Sequence, residues 1–161
     1  MANTYSQVYL QYVFTVKGKQ NLINPSHNDE LQKYITGIIQ NRKHKLLAIN
    51  NVPDHIHIFV GFATNTSMGD FMEEVKSISS KFINEKRWIK GKFEWQRGYG
   101  VFSYSRSHRD NVIKYISNQQ EHHKKITFKE EYLDFLRKFE IEYDEQYLFD
   151  WIDEKLESEG E

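Results

Sequence analysis

With 161 residues, 39% of them hydrophobic and 28% charged, the chain suffices for one domain with a real core, and this usage excludes wholesale disorder and fibrous repeats. It has no cysteine, which excludes disulfides and thiolate metal sites and leaves its seven histidines, with carboxylates, amides and hydroxyls, as the available metal ligands. The net charge of −1 hides a basic body, 18 Lys and Arg against 10 Asp and Glu over residues 1–125, and an acidic tail, 4 against 13 over residues 126–161, so it does not exclude a polyanionic partner.

Tyr5 to Val16 (YSQVYLQYVFTV) is rich in aromatic and β-branched residues and reads as a strand that ends at the turn-prone Lys17-Gly18-Lys19. Asn24-Pro25-Ser26 opens a helix with Leu31, Tyr34, Ile35 and Ile38 at helical spacing, closing in Arg42-Lys43-His44-Lys45. Leu46 to Asn50 reads as a short strand, Pro53-Asp54 as a turn and His55 to Phe62 as a third strand, together a hairpin. Ser67 caps a second helix with Phe71, Val75, Ile78, Phe82 and Ile83 on its inner stripe. Gly91 to Ser105, punctuated by Gly98 and Gly100, suggests one or two short strands around a tight turn.

Ser107 to Lys125 reads as one helix whose apolar stripe, Val112, Ile113 and Ile116, is too narrow for full burial, which places it on an edge or against a partner. Thr127 and Glu130 form a capping box before an amphipathic stretch that uses Leu133, Phe135, Leu136 and Phe139. The βαββαβ order predicts an α+β ferredoxin-like sandwich, an antiparallel sheet with helices on one face and the other face free for chemistry. On this reading residues 1–125 are the basic body and residues 126–161 an acidic, aromatic extension, helical at its start. Its Tyr132, Phe135, Phe139, Tyr143, Tyr147, Phe149 and Trp151 argue for docking on the body, on a dimer partner or against the basic surface. No apolar run approaches the roughly 20 residues that cross a bilayer, and Met1 to Tyr5 lacks the regions of a secretion signal. No membrane partner is expected, and the cytoplasm is the expected location.

Period-two alternation sends His55 and His57 to one face of their strand and Ile56, Ile58 and Val60 to the other. Side chains at i and i+2 sit about 7 Å apart, within reach of one divalent ion. Tyr115 and Gln119 are four apart on one helical face, with His122 a turn later. A phenol has a pKa of about 10 and needs a polarised electrophile or a neighbouring base to act as a nucleophile. Two imidazoles and one amide oxygen leave open positions on Mg²⁺ or Mn²⁺, enough to bind a phosphodiester. The bland readings stand beside these: strand histidines are often hydrogen-bonded bystanders, and a helix tyrosine is often a packing residue.

The ordered set YLQYVFTVKGKQNLI (Tyr9 to Ile23), NNVPDHIHIFVGF (Asn50 to Phe62), FEWQRGYGVFSYSRS (Phe93 to Ser107) and NVIKYISNQQEHHKK (Asn111 to Lys125) resembles the single-tyrosine HUH transposases of the insertion-sequence two-hundred type, in the REP-associated tyrosine transposase superfamily. The resemblance implies that His55, His57 and Gln119 are the ligands of a divalent metal, Mg²⁺ or Mn²⁺, and Tyr115 the nucleophile. It implies cleavage and rejoining of single-stranded DNA through a 5′-phosphotyrosine with no nucleotide cofactor. It further implies recognition of hairpins at the element ends, and a homodimer whose active site is shared between subunits.

Lys17, Lys19, Lys90, Lys92, Arg97, Arg106 and Arg109 are the basic candidates for the DNA contact. Trp95, Tyr99 and Phe102 read either as base-stacking residues or as core, with core ahead for Trp95 and Phe102. His122 and His123 stand as alternative ligands. Two other functions compete: a non-catalytic hairpin-binding module of the same fold, and a metal-dependent phosphodiesterase that uses water.

Overall fold

Alternation along the first strand sorts the molecule into two faces. β1 (Tyr9–Thr15) sends Leu10, Tyr12 and Phe14 to one side and Gln11, Val13 and Thr15 to the other, and all six are buried. The computed structural model describes residues 3–144, so Tyr147, Phe149 and Trp151 of the expected aromatic tail lie outside the described residues.

After β1 come α1 (Asn28–Asn41), β2 (Lys45–Val52), β3 (His55–Gly61), α2 (Met68–Lys86) and β4 (Gly100–Tyr104). The strands form one antiparallel sheet in the order β2-β3-β1-β4. This is the ferredoxin-like arrangement that the element order predicts. Asn24 opens the first helical segment by accepting from the Ser26 N–H at 2.9 Å, and Ser67 opens α2 by accepting from the Asp70 N–H at 3.1 Å. The first face holds the main core: Leu10, Tyr12, Phe14, Ile56, Ile58 and Val60 pack against Leu31, Ile35 and Ile39 of α1 and Phe71, Met72 and Val75 of α2. Burying each such side chain contributes about 1.5–3 kcal/mol. Trp95 and Phe102 are core residues, buried to 7% and 2% exposure, and Tyr99 packs on Tyr12 at 5.9 Å between ring centroids.

The second face is not free. It is covered by α3 (Arg109–Ser117), α4 (Gln119–His122) and α5 (Phe128–Lys138). Phe59 of the sheet packs on Val112 and Ile116, and Val13 and Phe102 pack on Phe128, Tyr132, Phe135 and Leu136. This much apolar surface on the second face seeks cover, and α5, from the acidic extension, supplies most of it. The segment expected as one helix from Ser107 to Lys125 is also interrupted: a 3₁₀ turn (Arg106–His108) leads into α3, and Asn118, at φ −100° and ψ 18°, separates α3 from α4. The Asn50 amide, reaching over from β2, donates to Ile116 O at 2.8 Å and so satisfies a carbonyl at that break. Among the described residues no helix is long and apolar enough to cross a membrane.

Gly100 sets how closely α5 approaches the sheet. A Cβ there would lie 2.8 Å from the Tyr132 hydroxyl and 2.9 Å from its ring, and Tyr132 is itself buried. Gly100→Ala is expected to destabilise the protein by about 1–3 kcal/mol, the cost typical of overpacking, measured by urea unfolding followed by circular dichroism.

Candidate active site

The hairpin β2-β3 delivers both histidines to the second face, fully buried. His55 donates its Nδ1–H to Asp54 Oδ1 at 2.6 Å, so its Nε2 faces inward. His57 Nδ1 accepts from Gln11 Nε2 at 2.8 Å, and Gln11 Oε1 accepts from the Tyr104 hydroxyl at 2.8 Å, which leaves His57 Nε2 also facing inward. Each imidazole is therefore oriented by a partner on its outer nitrogen.

The helices supply the other half. Tyr115 comes from α3, Gln119 and His122 from α4, and His123 follows directly. All of them converge on Glu131 of α5, which is 2% exposed. Glu131 Oε2 accepts a short hydrogen bond from the Tyr115 hydroxyl and one from Gln119 Nε2 at 3.1 Å. Glu131 Oε1 accepts from His57 Nε2 at 3.0 Å and lies 3.2 Å from His123 Nε2 and 3.4 Å from His55 Nε2. The Tyr115 oxygen also lies 3.1 Å from His122 Nε2. One ligand atom from each of His55, His57, His123 and Glu131 falls within 4.8 Å of every other.

Burial alone would raise the Glu131 carboxyl, but His57, with the hydrogen bonds to His123, His55 and His57, outweighs it and holds the group far below the usual carboxylate range. Burial lowers His57, against the opposing pull of Glu131. Burial acts the same way on His55, yet the bonds to Asp54 and Glu131 prevail and raise it. Burial first, then the Glu131 charge, pushes the Tyr115 phenol well above its ordinary value. The site thus pairs a carboxylate with a phenol that keeps its hydrogen.

Tyr115 is half-buried and lines a cavity of about 560 Å³ with Gln11, Tyr104, His108, Asn111 and Glu131. The structure thus brings His55, His57, Tyr115 and Gln119 together within one chain. It does not bring the basic candidates together. Lys17, Lys92 and Arg97 line a groove of about 1220 Å³ under α2, and both lysines pair with Glu94, at 3.0 Å and 3.3 Å. Lys19 lies in the turn with Lys17, Lys90 is exposed before that groove, and exposed Arg106 with half-buried Arg109 opens α3.

Glu131 escapes the sequence reading. Its trace is visible in hindsight: Phe128, Glu131, Tyr132 and Phe135 follow the i, i+3, i+4, i+7 rhythm, so an acid sits on the apolar stripe of α5.

A family model described as IS200-like transposase matches residues 4–119. The chain belongs to the IS200-like transposase family. Within it, the ISDra2 transposase TnpA of Deinococcus radiodurans is 21% identical over 122 residues, covering 71% of this chain and 86% of that protein. Among solved structures, a Deinococcus radiodurans R1 protein described as a transposase aligns with a TM-score of 0.58 at 20% identity, over 74% of this chain and 95% of the other. A REP-associated tyrosine transposase bound to a REP hairpin aligns with a TM-score of 0.59 at 12% identity, over 78% and 74%. These two likenesses bear on the fold. The IS200-like match ends at Gln119, so Glu131 lies beyond it.

The tie between β2 and the α3–α4 junction holds Tyr115 over the histidines. Besides its bond to Ile116 O, Asn50 exchanges hydrogen bonds with the Gln120 amide at 2.7 and 2.8 Å. Asn50→Ala removes the buried bond to Ile116 O together with the ties to Gln120 and is expected to cost about 1 kcal/mol of stability in urea unfolding.

Proposed function

We propose that this IS200-like transposase cuts and rejoins single-stranded DNA with Tyr115 as nucleophile and a divalent cation, Mg²⁺ or Mn²⁺, held by His55, His57 and Gln119. The observation that carries the reading is the convergence of a half-buried phenol and two fully buried, outward-anchored imidazoles on one point inside a single chain. The donor set suits such a cation: His55 Nε2 and Gln119 Oε1 are buried with no hydrogen-bond partner, and both belong to groups that face the centre. A bound divalent ion supplies Lewis-acid polarisation of the scissile phosphodiester.

The chain's own residues do the rest. The Tyr115 oxygen attacks phosphorus, the bond from phosphorus to the 3′ oxygen breaks, and the products are a 5′-phosphotyrosyl ester and a 3′-hydroxyl. The phenol hydrogen already points at Glu131 Oε2. Because the ester retains the energy of the broken linkage, the reverse attack by a 3′-hydroxyl needs only positioning. The cavity beside Tyr115 gives the strand access.

Hairpins at the element ends are the proposed ligands of the basic surface, in line with the hairpin-bound neighbour. Lys17, Lys92 and Arg97 in the α2 groove, Lys19 and Lys90 near it, and Arg106 and Arg109 at the start of α3 are its candidate contacts. Such an enzyme works on DNA in the cytoplasm. In a homodimer with shared sites, the second arrangement, α3 of one subunit would serve the histidines of the other. The Asn50 ties favour the arrangement within one chain.

Incubating the full chain with Mn²⁺ and single-stranded hairpin DNA and then denaturing it is expected to give a covalent protein–DNA band that Tyr115→Phe and EDTA each abolish. A band of undiminished intensity in Tyr115→Phe contradicts the nucleophile. Cleavage with no protein-linked product points to water as the attacking group, and binding with no cleavage points to a non-catalytic hairpin module. Mixing Tyr115→Phe with His57→Ala is expected to restore no adduct; restoration would establish sites shared between subunits.

A further inference from the structure

The IS200-like match stops at Gln119, yet the group that contacts the whole centre stands on the next long helix. Glu131 Oε1 has three imidazole nitrogens around it, His57 Nε2 at 3.0 Å, His123 Nε2 at 3.2 Å and His55 Nε2 at 3.4 Å. The His55 Nδ1–H is committed to Asp54, and its fully buried Nε2 faces Glu131 Oε1 with no hydrogen-bond partner. One ligand atom from each of three imidazoles and one carboxylate, all within 4.8 Å of one another, is the donor set of a divalent-cation site. The separations from Oε1 also suit that cation: adjacent ligand atoms of an octahedron with bonds of about 2.1 Å lie about 3.0 Å apart.

We propose that Glu131 is itself a ligand of the cation, through Oε1 and alongside His55 and His57, so that the segment after the IS200-like match completes the metal centre. This rests on the reading of the site as a cation centre. His123, which shares Oε1 and whose ring lies 4.5 Å from that of His55, is placed to be the next ligand. His57 joins by turning the Gln11 amide: the Gln11 oxygen then accepts from Nδ1–H, the Tyr104 hydroxyl accepts from the amide nitrogen, and Nε2 offers its lone pair. The other carboxylate oxygen, Oε2, keeps the Tyr115 hydroxyl and the Gln119 amide. One carboxylate therefore fixes both the cation and the nucleophile, and Glu131 is a positioning residue for Tyr115 as well as a ligand.

The test is a calorimetric titration of Mn²⁺ into the purified full chain without DNA, with a thermal melt of each variant in the presence and absence of Mn²⁺. The wild type should bind Mn²⁺ and melt at a higher temperature with it. His57→Ala and the near-isosteric Glu131→Gln should each weaken binding at least tenfold and lose the melting shift. Glu131→Asp should regain part of the affinity, and Tyr115→Phe should bind within about twofold of the wild type. Glu131→Gln binding Mn²⁺ as tightly as the wild type, or more tightly, would overturn the proposal; tighter binding would mean that the carboxylate only occupies the space between the imidazoles. Equal binding by the wild type and His57→Ala would overturn the cation reading itself and the proposal with it. A Glu131→Gln chain that fails to fold leaves Glu131→Asp to decide: wild-type affinity there also overturns the proposal, since a ligand oxygen withdrawn by one methylene cannot serve as well.

Discussion

A carboxylate shut inside protein is costly, and the contacts of Glu131 are what make it tolerable. Taking one such charge out of water costs several kcal/mol, recovered only where its oxygens are met by well-placed donors or cations. Here the donors are Tyr115, Gln119 and His57, with His55 and His123 closing the shell. The same requirement works in reverse on the neighbours. Asp54, Gln11 and Tyr104 hold the outer sides of the two strand imidazoles, so those rings can present only their inner nitrogens to the centre.

The fold serves this arrangement by asymmetry between its two faces. α1 and α2 close the first face with aliphatic and aromatic packing. The second face mixes Val13, Phe59 and Phe102 with Gln11, His55 and His57, so its cover must be apolar at the edges and polar in the middle. α3 and α5 meet that demand from opposite sides, Ile116 and Phe135 lying against the sheet while Tyr115 and Glu131 reach the histidines. Gly100 lets the α5 side come close, and Asn50 ties down the α3 side.

Strand alternation makes much of this legible in the sequence alone. Period two assigns His55 and His57 to one side and Ile56, Ile58 and Val60 to the other without reference to the rest of the chain. Ser67 and Thr127 announce their helices by local hydrogen bonds, and both caps form. Three features resisted. The break at Asn118 is stabilised by Asn50, a residue distant in sequence on another strand, and no local pattern carries that information. Glu131 resisted because a charged residue in an acidic segment looks like solvent-facing composition; only its position on the apolar stripe of α5 separates it from the exposed Glu130 beside it. The cover over the second face resisted for a related reason, since Phe59 and Phe102 gave no sign of which helix would bury them.

The central claim is that this chain gathers its phenol, its strand imidazoles and one carboxylate around a divalent ion. Crystals of the full chain grown with Mn²⁺, measured at a wavelength where manganese scatters anomalously, test it most directly. The account predicts one strong anomalous peak within about 2.3 Å of His55 Nε2, His57 Nε2 and Glu131 Oε1, with the Tyr115 oxygen facing it. A peak that forms elsewhere, or a centre that stays empty at saturating Mn²⁺ with the Glu131 hydrogen bonds intact, would contradict it.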